Sequence, residues 1–361
     1  MTNVSTIGLD IAKSSFSLHG FDAGGRTVLK KTVKRAELLK EFAGIEPCRV
    51  GLEACGGAHH WGRELKRLGH EVRLIPPSRV KAFAPRQKND AEDARAIARA
   101  AGDPEMRLVA LKSVEQQSRL MLFKARDLLV RQRTQLLNAL RGHFSELGIV
   151  VAQGGAAVFE LVDRLRGGEG LPRAMRAALL PLAKVLNVIG EEIARLDRLI
   201  AVALSKDKRA QRLEEIPGFG ALGAVTLSAA VPDAGQFSGG REFAAWLGLV
   251  PRQHSTGGKT RLGGVSKMGN GDLRRLIALG AIAVAGRVMA RKRAGKDAET
   301  GVLGQWVGRK LETKPFMVVA LALANKLARI AWAVLAGADY DANHGAKTAA
   351  AGRNLEAAAK G

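Results

Sequence analysis

The chain is poor in aromatics, in cysteine and in acid. Phenylalanine, tryptophan and tyrosine together make up 4% of its 361 residues, which argues against a protein that binds single strands by stacking bases on rings. The two cysteines, Cys48 and Cys55, have no second pair at metal-ligand spacing. That excludes a structural zinc site and a disulfide scaffold, and leaves two inert thiols in a reducing compartment. Asp and Glu number 34 against 57 Lys and Arg, a formal net charge of +23 and a pI of about 10.6. An excess of this size favours a polyanionic partner, because each neutralised phosphate releases counterions. No basic region followed by an apolar run opens the sequence, so no secretory signal is expected. The longest uncharged apolar run, residues 276–286, stops at Arg287, short of the roughly 18 residues that span a bilayer. The basic residues are spread over several segments rather than gathered on one amphipathic helix. A cytoplasmic, nucleoid-associated protein with no membrane partner is the expectation.

Apolar residues make up 47% of the chain, enough for two or three packed domains. Residues 1–110 read as α/β. Thr6-Ile7-Gly8-Leu9-Asp10-Ile11 is a short buried strand with one carboxylate in it. A second strand around residues 16–19 and a third over 26–33 follow, with Gly24-Gly25 as the turn between them. A helix is expected over 36–42, a strand over 49–53 ending in Glu53, a helix over 61–68 after the Gly56-Gly57 break, and a strand over 71–75 closed by Pro76-Pro77. Residues 80–83 are read as helical. Polar residues 85–89 lead into an Ala-rich helix from Asp90, with acids in its first turn, where the helix dipole favours them. Residues 114–147 form one long Leu/Arg-rich helical pattern and 174–206 a second, with a possible break near Gly190. Together they predict an antiparallel coiled-coil arm over 111–208. Gly154-Gly155 and Gly167-Gly168 read as loops. Residues 209–340 are predicted helical with Gly-rich turns, and 341–361 as a disordered tail.

Four acids stand out against the basic background. Asp10 and Glu53 lie in different strands, and Asp90 and Asp93 are three apart at a helix start, hence on one face of it. A buried lone Asp is costly unless something positive meets it. Four carboxylates on a sheet and an adjacent helix can hold two Mg²⁺ ions, which prefer oxygen ligands, with Mn²⁺ able to substitute. Such a pair stabilises the attacking and leaving oxygens of a phosphodiester. Taken singly, Asp90 and Asp93 are ordinary acids at a helix N-terminus; the metal reading rests on all four. The order strand-Asp, meander, strand-Glu, helix with Asp-x-x-Asp resembles the RNase H-like fold of RuvC-type junction nucleases. Glu92 ranks below Asp93 as a ligand, and His59 and His60 read as packing or supporting groups.

Gly218-Phe219-Gly220-Ala221-Leu222-Gly223 matches G-x-G-x-x-G, but no buried strand precedes it, which argues against a dinucleotide site. Ile216-Pro217-Gly218-Phe219-Gly220 looks like a helix-hairpin-helix turn, which would offer N–H groups to a phosphate; a plain interhelical turn fits equally well. Gly257-Gly258-Lys259-Thr260 is not a Walker A loop, since the required first glycine falls on Gln253. Around it, Ser255 is flanked by glycines and cations. It can be a nucleophile on phosphorus or part of a turn that only positions the chain. Arg252, Lys259, Arg261, Lys267 and Arg274 are the candidate nucleic-acid contacts.

The Ile-Pro-Gly-x-Gly turn, the run Trp246-Leu247-Gly248-Leu249-Val250-Pro251-Arg252-Gln253-His254-Ser255-Thr256-Gly257-Gly258-Lys259 and the Lys267-x-Gly269-Asn270-x-x-Leu273-Arg274 run resemble one insertion-sequence family. These are the DEDD-type transposases related to the Piv and MooV invertases, bridge-RNA-guided recombinases. Gly8-Leu9-Asp10-Ile11-Ala12-Lys13, Leu52-Glu53-Ala54-Cys55-Gly56 and Lys88-Asn89-Asp90-Ala91-x-Asp93-Ala94 resemble the same family's RuvC-like domain. The resemblance implies a metal-binding tetrad of Asp10, Glu53, Asp90 and Asp93. It also implies a covalent phosphoserine on Ser255, with Thr256 as competitor because the family often carries Ser-Gly where this chain has Thr256-Gly257. It further implies double-stranded donor and target DNA, a guide RNA held by the arm, and a tetramer whose subunits share active sites. A junction nuclease acting through the tetrad alone and a non-catalytic nucleic-acid scaffold are the alternatives.

Overall fold

The computed structural model describes residues 4–84, 89–150, 160, 162–163, 165–167, 172–296, 301–341 and 345–347. It falls into two compact units: Met1–Val114 with Val231–Ser238, and Glu115–Ala230 with Gly239–Gly361.

The first unit is built on a five-stranded sheet. Its strands are β1 (Thr6–Ile11), β2 (Ser15–Phe21), β3 (Thr27–Lys34), β4 (Arg49–Glu53) and β5 (Glu71–Ile75), in the order β3-β2-β1-β4-β5. The first three form the expected antiparallel meander, and β4 and β5 add in parallel. Successive side chains of a strand face opposite ways. Ile7 and Leu9 therefore share one face, where they pack with Phe16, Leu38 and Phe42 and with Trp61 and Leu65 of α2 (Ala58–Arg67, after α1, Leu38–Ala43). Each fully buried side chain of this size contributes about 1.5–3 kcal/mol.

Gly8 and Asp10 face the other way, towards α4 (Asp90–Gly102), which packs on β1, β2 and β4. The short helix before it, α3, runs Pro77–Val80 rather than 80–83, because Pro77 suits the first helical position. Most of the polar segment 85–89 lies outside the described residues. The side chain of Asn89 accepts from the Ala91 N–H and starts α4.

The second unit begins with α5 (Val114–Ser145) and α6 (Arg173–Ser205), two long helices that run antiparallel. Leu140 and Phe144 of α5 pack with Leu179, Ala183 and Leu186 of α6. Nearer the start of α5, Arg126 pairs with Asp197 and Arg119 with Asp207. Leu179, Leu186, Ile193 and Ile200 are buried at the seven-residue repeat of a coiled-coil seam. The helix passes through Gly190 without the expected break; the buried stripe continues on both sides and offsets the roughly 1 kcal/mol cost of a helical glycine. Gly167 is helical rather than in a loop, while Gly154, Gly155 and Gly168 lie outside the described residues.

The rest of the unit comprises α7 (Lys208–Glu214), α8 (Ala221–Ala230), α9 (Gly240–Trp246), α10 (Gly271–Arg293), α11 (Gly301–Leu311) and α12 (Phe316–Leu335). It is not all helical. Strands β6 (Pro251–Gln253) and β7 (Leu262–Val265) form an antiparallel hairpin, and β8 (Asp339–Asp341) pairs with β9 (Gly345–Lys347). Where a disordered tail is expected from 341, Asp341 and Gly345–Lys347 are paired strand residues; residues 342–344 and 348–361 lie outside the described ones. The most apolar long helix is α12, not the 276–286 run within α10. Its mean hydropathy of 1.7 over 18 residues and its length would suit a membrane span, but half of that window is buried. Val319, Leu323 and Leu327 are buried, and α12 packs on α10. Between α7 and α8, Gly218 has φ +98 and lies against Gly280 of α10, where a Cβ would sit 3.0 Å from the Gly280 carbonyl oxygen. Close helix packing therefore accounts for this glycine without a phosphate.

Candidate active site

Register brings the acids of the first unit together. Gly8 and Gly51 are paired across β1 and β4. Two residues further along, Asp10 and Glu53 lie on the same face of the sheet. That face receives α4 because both strands are bare there. A Cβ at Gly8 would lie 2.0 Å from the Ala94 carbonyl oxygen and 2.3 Å from the Ala98 nitrogen; one at Gly51 would lie 2.5 Å from the Ala101 Cβ. With α4 lying directly on the backbone, its N-terminal turn carries Asp90 and Asp93 to Asp10. One carboxylate oxygen from each of these three lies within 4.8 Å of the others.

The half-buried Asp10 carboxyl is pushed above the usual carboxylate range, first by burial and then by the charges of Asp93, Asp90 and Glu53. Glu53 is outside the group of three but close enough to act on Asp10 electrostatically. An all-carboxylate, partly solvated set with mutual repulsion fits a hard divalent cation, which would supply the missing positive charge. Cys55 lies in the same negative field. Burial, Glu53 and Asp10 all raise its thiol, which keeps it unreactive.

The neighbours are structural. Glu92 turns to Arg95 at 3.5 Å. His60 packs edge-on against Trp61 and lies 3.9 Å from Glu64. His59 Nδ1 accepts from the Lys112 N–H at 3.3 Å, and its ring is held down to about 4 by burial, Lys112 and Arg63.

In the second unit, Ser255 lies at the end of the β6–β7 hairpin. Gly257 and Gly258 have φ of 56 and 75, and the Lys259 N–H donates to the Thr256 carbonyl at 3.0 Å. This two-residue turn needs positive φ at both central positions, which the glycines permit. Ser255 is exposed. Its Oγ accepts from the Arg261 N–H at 3.2 Å and from Gln253 Nε2 at 3.1 Å. Two N–H donors aimed at one hydroxyl oxygen favour the build-up of negative charge on it. Arg252, Lys259, Arg261 and Lys267 are exposed around the hairpin.

Arg274 is placed differently. Its guanidinium donates to the carbonyls of Leu247 and Met268, both at 3.1 Å, so it braces the base of the hairpin. There the chain crosses itself at Gly248 and Gly269: a Cβ would lie 2.0 Å from Met268 O at the first and 1.9 Å from Trp246 O at the second.

Family models of known proteins match both parts of the chain. A DEDD-type transposase family model matches residues 7–149, and a model described as "Transposase IS116/IS110/IS902 family" matches residues 210–296. The chain is 45% identical over 336 residues to a "Probable family 20 transposase" of Pseudomonas aeruginosa, covering 92% of this chain and 97% of the relative. It is 39% identical to the transposase for insertion sequence element IS1328 of Yersinia enterocolitica, covering 92% and 97%. It is 38% identical to the transposase for element IS1111A of Coxiella burnetii, covering 93% and 90%.

The chain belongs to the IS110/IS116 family of DEDD transposases. Membership implies DNA binding, strand cleavage and rejoining, and use of a divalent metal. In this transposase the acids were visible in the sequence as residue types. The features that bring them together, Gly8 and Gly51 beneath Ala94, Ala98 and Ala101, were not singled out. Their signal was present as glycines inside otherwise apolar strands, which mark close backbone approach.

Proposed function

We propose that this transposase excises and inserts its own element through a RuvC-like domain (1–110), a coiled-coil arm (111–208) and a C-terminal catalytic domain (209–340). The observation that supports it best is the grouping of Asp10, Asp90 and Asp93 within 4.8 Å, on a sheet whose meander-then-parallel order suits an RNase H-like fold. Asp10, Glu53, Asp90 and Asp93 would hold Mg²⁺. When bound, the metal supplies positive charge to the reacting phosphate.

The residues of the chain do the rest. The carboxylates would hold the metal at the end of β1, and the strand's phosphate would meet that positive charge there. The Ser255 Oγ bonds to phosphorus as a strand P–O bond breaks. The products are a phosphoserine and a free sugar hydroxyl, and the proton lost by Oγ is matched by the one gained on the leaving sugar oxygen. Attack by a sugar hydroxyl of the other DNA then rejoins the strand and frees the serine. The two N–H groups on Ser255 Oγ favour Ser255 over Thr256. The exposed cations Arg252, Lys259, Arg261 and Lys267 face the DNA backbone. A guide RNA held by the arm selects donor and target, and a tetramer combines the two catalytic parts from different subunits.

The test is strand exchange on end-labelled DNA with Mg²⁺ and the element's noncoding RNA, resolved under denaturing conditions. A protein–DNA adduct is expected with the wild type and absent from Ser255→Ala and Asp10→Ala. An adduct persisting in Ser255→Ala would transfer the role to Thr256. Cleavage with no adduct would replace this mechanism with hydrolysis at the carboxylates. Unchanged exchange without RNA would remove the guide, and binding with no cleavage at all would leave only a scaffold.

A further inference from the structure

At the end of the first unit away from the carboxylates, a cavity of about 470 Å³ opens among Thr6, Asp22, Arg49, Arg95, Ala98 and Arg99. Three guanidiniums line it against a single carboxylate. That carboxylate is already engaged: Asp22 accepts from the Gly24 and Arg26 N–H groups at 2.9 Å and from Arg26 Nε at 3.1 Å. Arg49 has a long 3.4 Å contact with Glu71, which Arg73 holds more tightly at 2.7 Å. Arg95 touches Glu92 at 3.5 Å, and its Nε is buried with no hydrogen-bond partner. Arg99 is exposed and makes no hydrogen bond or ion pair among the described residues. His19 is buried beside these arginines, and burial followed by Arg95 holds it below its ordinary value. The positive charge of the site is therefore that of the guanidiniums.

We propose that this cavity binds a backbone phosphate of a nucleic acid, at a point separate from the phosphodiester that the proposed reaction cleaves beside the carboxylates. Planar guanidinium forks match phosphate oxygens in pairs. The placement follows from two elements. Thr6 begins β1 and Asp10 lies near its end; Gly102 ends α4 and Asp90 begins it. The cavity and the acids thus lie at opposite ends of one strand–helix pair. From the rise per residue, Thr6 lies about 13 Å from Asp10 along β1, and Arg99 lies about 9 Å from Asp93 and about 14 Å from Asp90 along α4. That distance is roughly three to four base steps along a B-form strand. A nucleic acid seated in the cavity is anchored away from the bond that breaks.

The experiment uses the full chain, with Arg99→Gln and Arg95→Gln/Arg99→Gln variants. Fluorescence anisotropy measures binding to duplex DNA and to a structured RNA between about 50 and 200 mM salt. Affinity for one of the two is expected to fall about tenfold at low salt, and the slope of log K against log salt to shrink by about 1 to 2. A loss confined to DNA or to RNA supports the site and names its occupant. Unchanged slope and affinity for both overturn it. Arg99 is exposed, so its single variant keeps the test valid if the double variant melts early. Asp10→Ala should lose cleavage yet keep the wild-type salt slope, so failure of the catalytic reading and failure of this one give different results.

Discussion

Replacing Gly8 by alanine tests the geometry on which the acid cluster depends. The substitution is mild in a strand, where alanine has no backbone difficulty. Its cost comes from α4. The new Cβ would sit 2.0 Å from the Ala94 carbonyl oxygen, whereas ordinary contact begins at 3.4 Å. The obstacle is backbone on both sides, so no side-chain rotation relieves it, and α4 must retreat by more than an ångström. Overpacking of this kind costs about 1–3 kcal/mol. The larger consequence is local. Asp90 and Asp93 ride on α4 and Asp10 stays with the sheet, while metal–oxygen distances tolerate only about 0.2 Å. Binding of Mn²⁺, followed by calorimetry, should weaken at least tenfold, with strand cleavage falling in step. Gly102→Ala is the control, because that glycine lies on the same helix with nothing within 4 Å of its Cβ position. A Gly8→Ala protein with wild-type melting temperature and metal affinity would refute the argument that bare strand backbone sets the position of the acids.

Three further outcomes are expected. Saturating Mg²⁺ should raise the thermal midpoint, by the equivalent of about 2.7 kcal/mol at a hundred times Kd, and Asp93→Ala should abolish the rise in differential scanning fluorimetry. His59 titrates near 4 when folded against an ordinary 6.5. The unfolded chain therefore binds the extra proton between those values, and stability should increase with pH across that window; urea midpoints of His59→Gln should show a flatter rise than wild type. Asp207 is buried, pairs with Arg119, accepts from Ser228 Oγ at 2.9 Å and caps α7 through the Arg209 and Ala210 N–H groups. Its replacement by alanine should cost about 2–4 kcal/mol in urea unfolding, and Asp207→Asn less.

The local content of this molecule was legible in the chain. Period-two alternation placed the strands near Asp10 and Glu53, acids after Asn89 marked the start of α4, and the Leu/Arg pattern gave two long helices, since each of these depends on neighbours a few residues away. The β6–β7 hairpin was missed because its strands are three and four residues long and lack an apolar face. The buried role of α12 was missed because Lys326 and Arg329 interrupt its apolar sequence.

Sequence by itself marked candidate metal ligands and a candidate nucleophile, and its charge balance favoured a polyanionic partner. Tertiary structure alone decided that Asp10 and Glu53 share a face and that α4 reaches them, because both depend on strand register and on backbone contact between segments some eighty residues apart. It also decided that Arg274 braces the hairpin, and that Arg49, Arg95 and Arg99, unremarkable along the chain, line one cavity. Pairing in space is a property of the packed chain, and no pattern within a single segment encodes it.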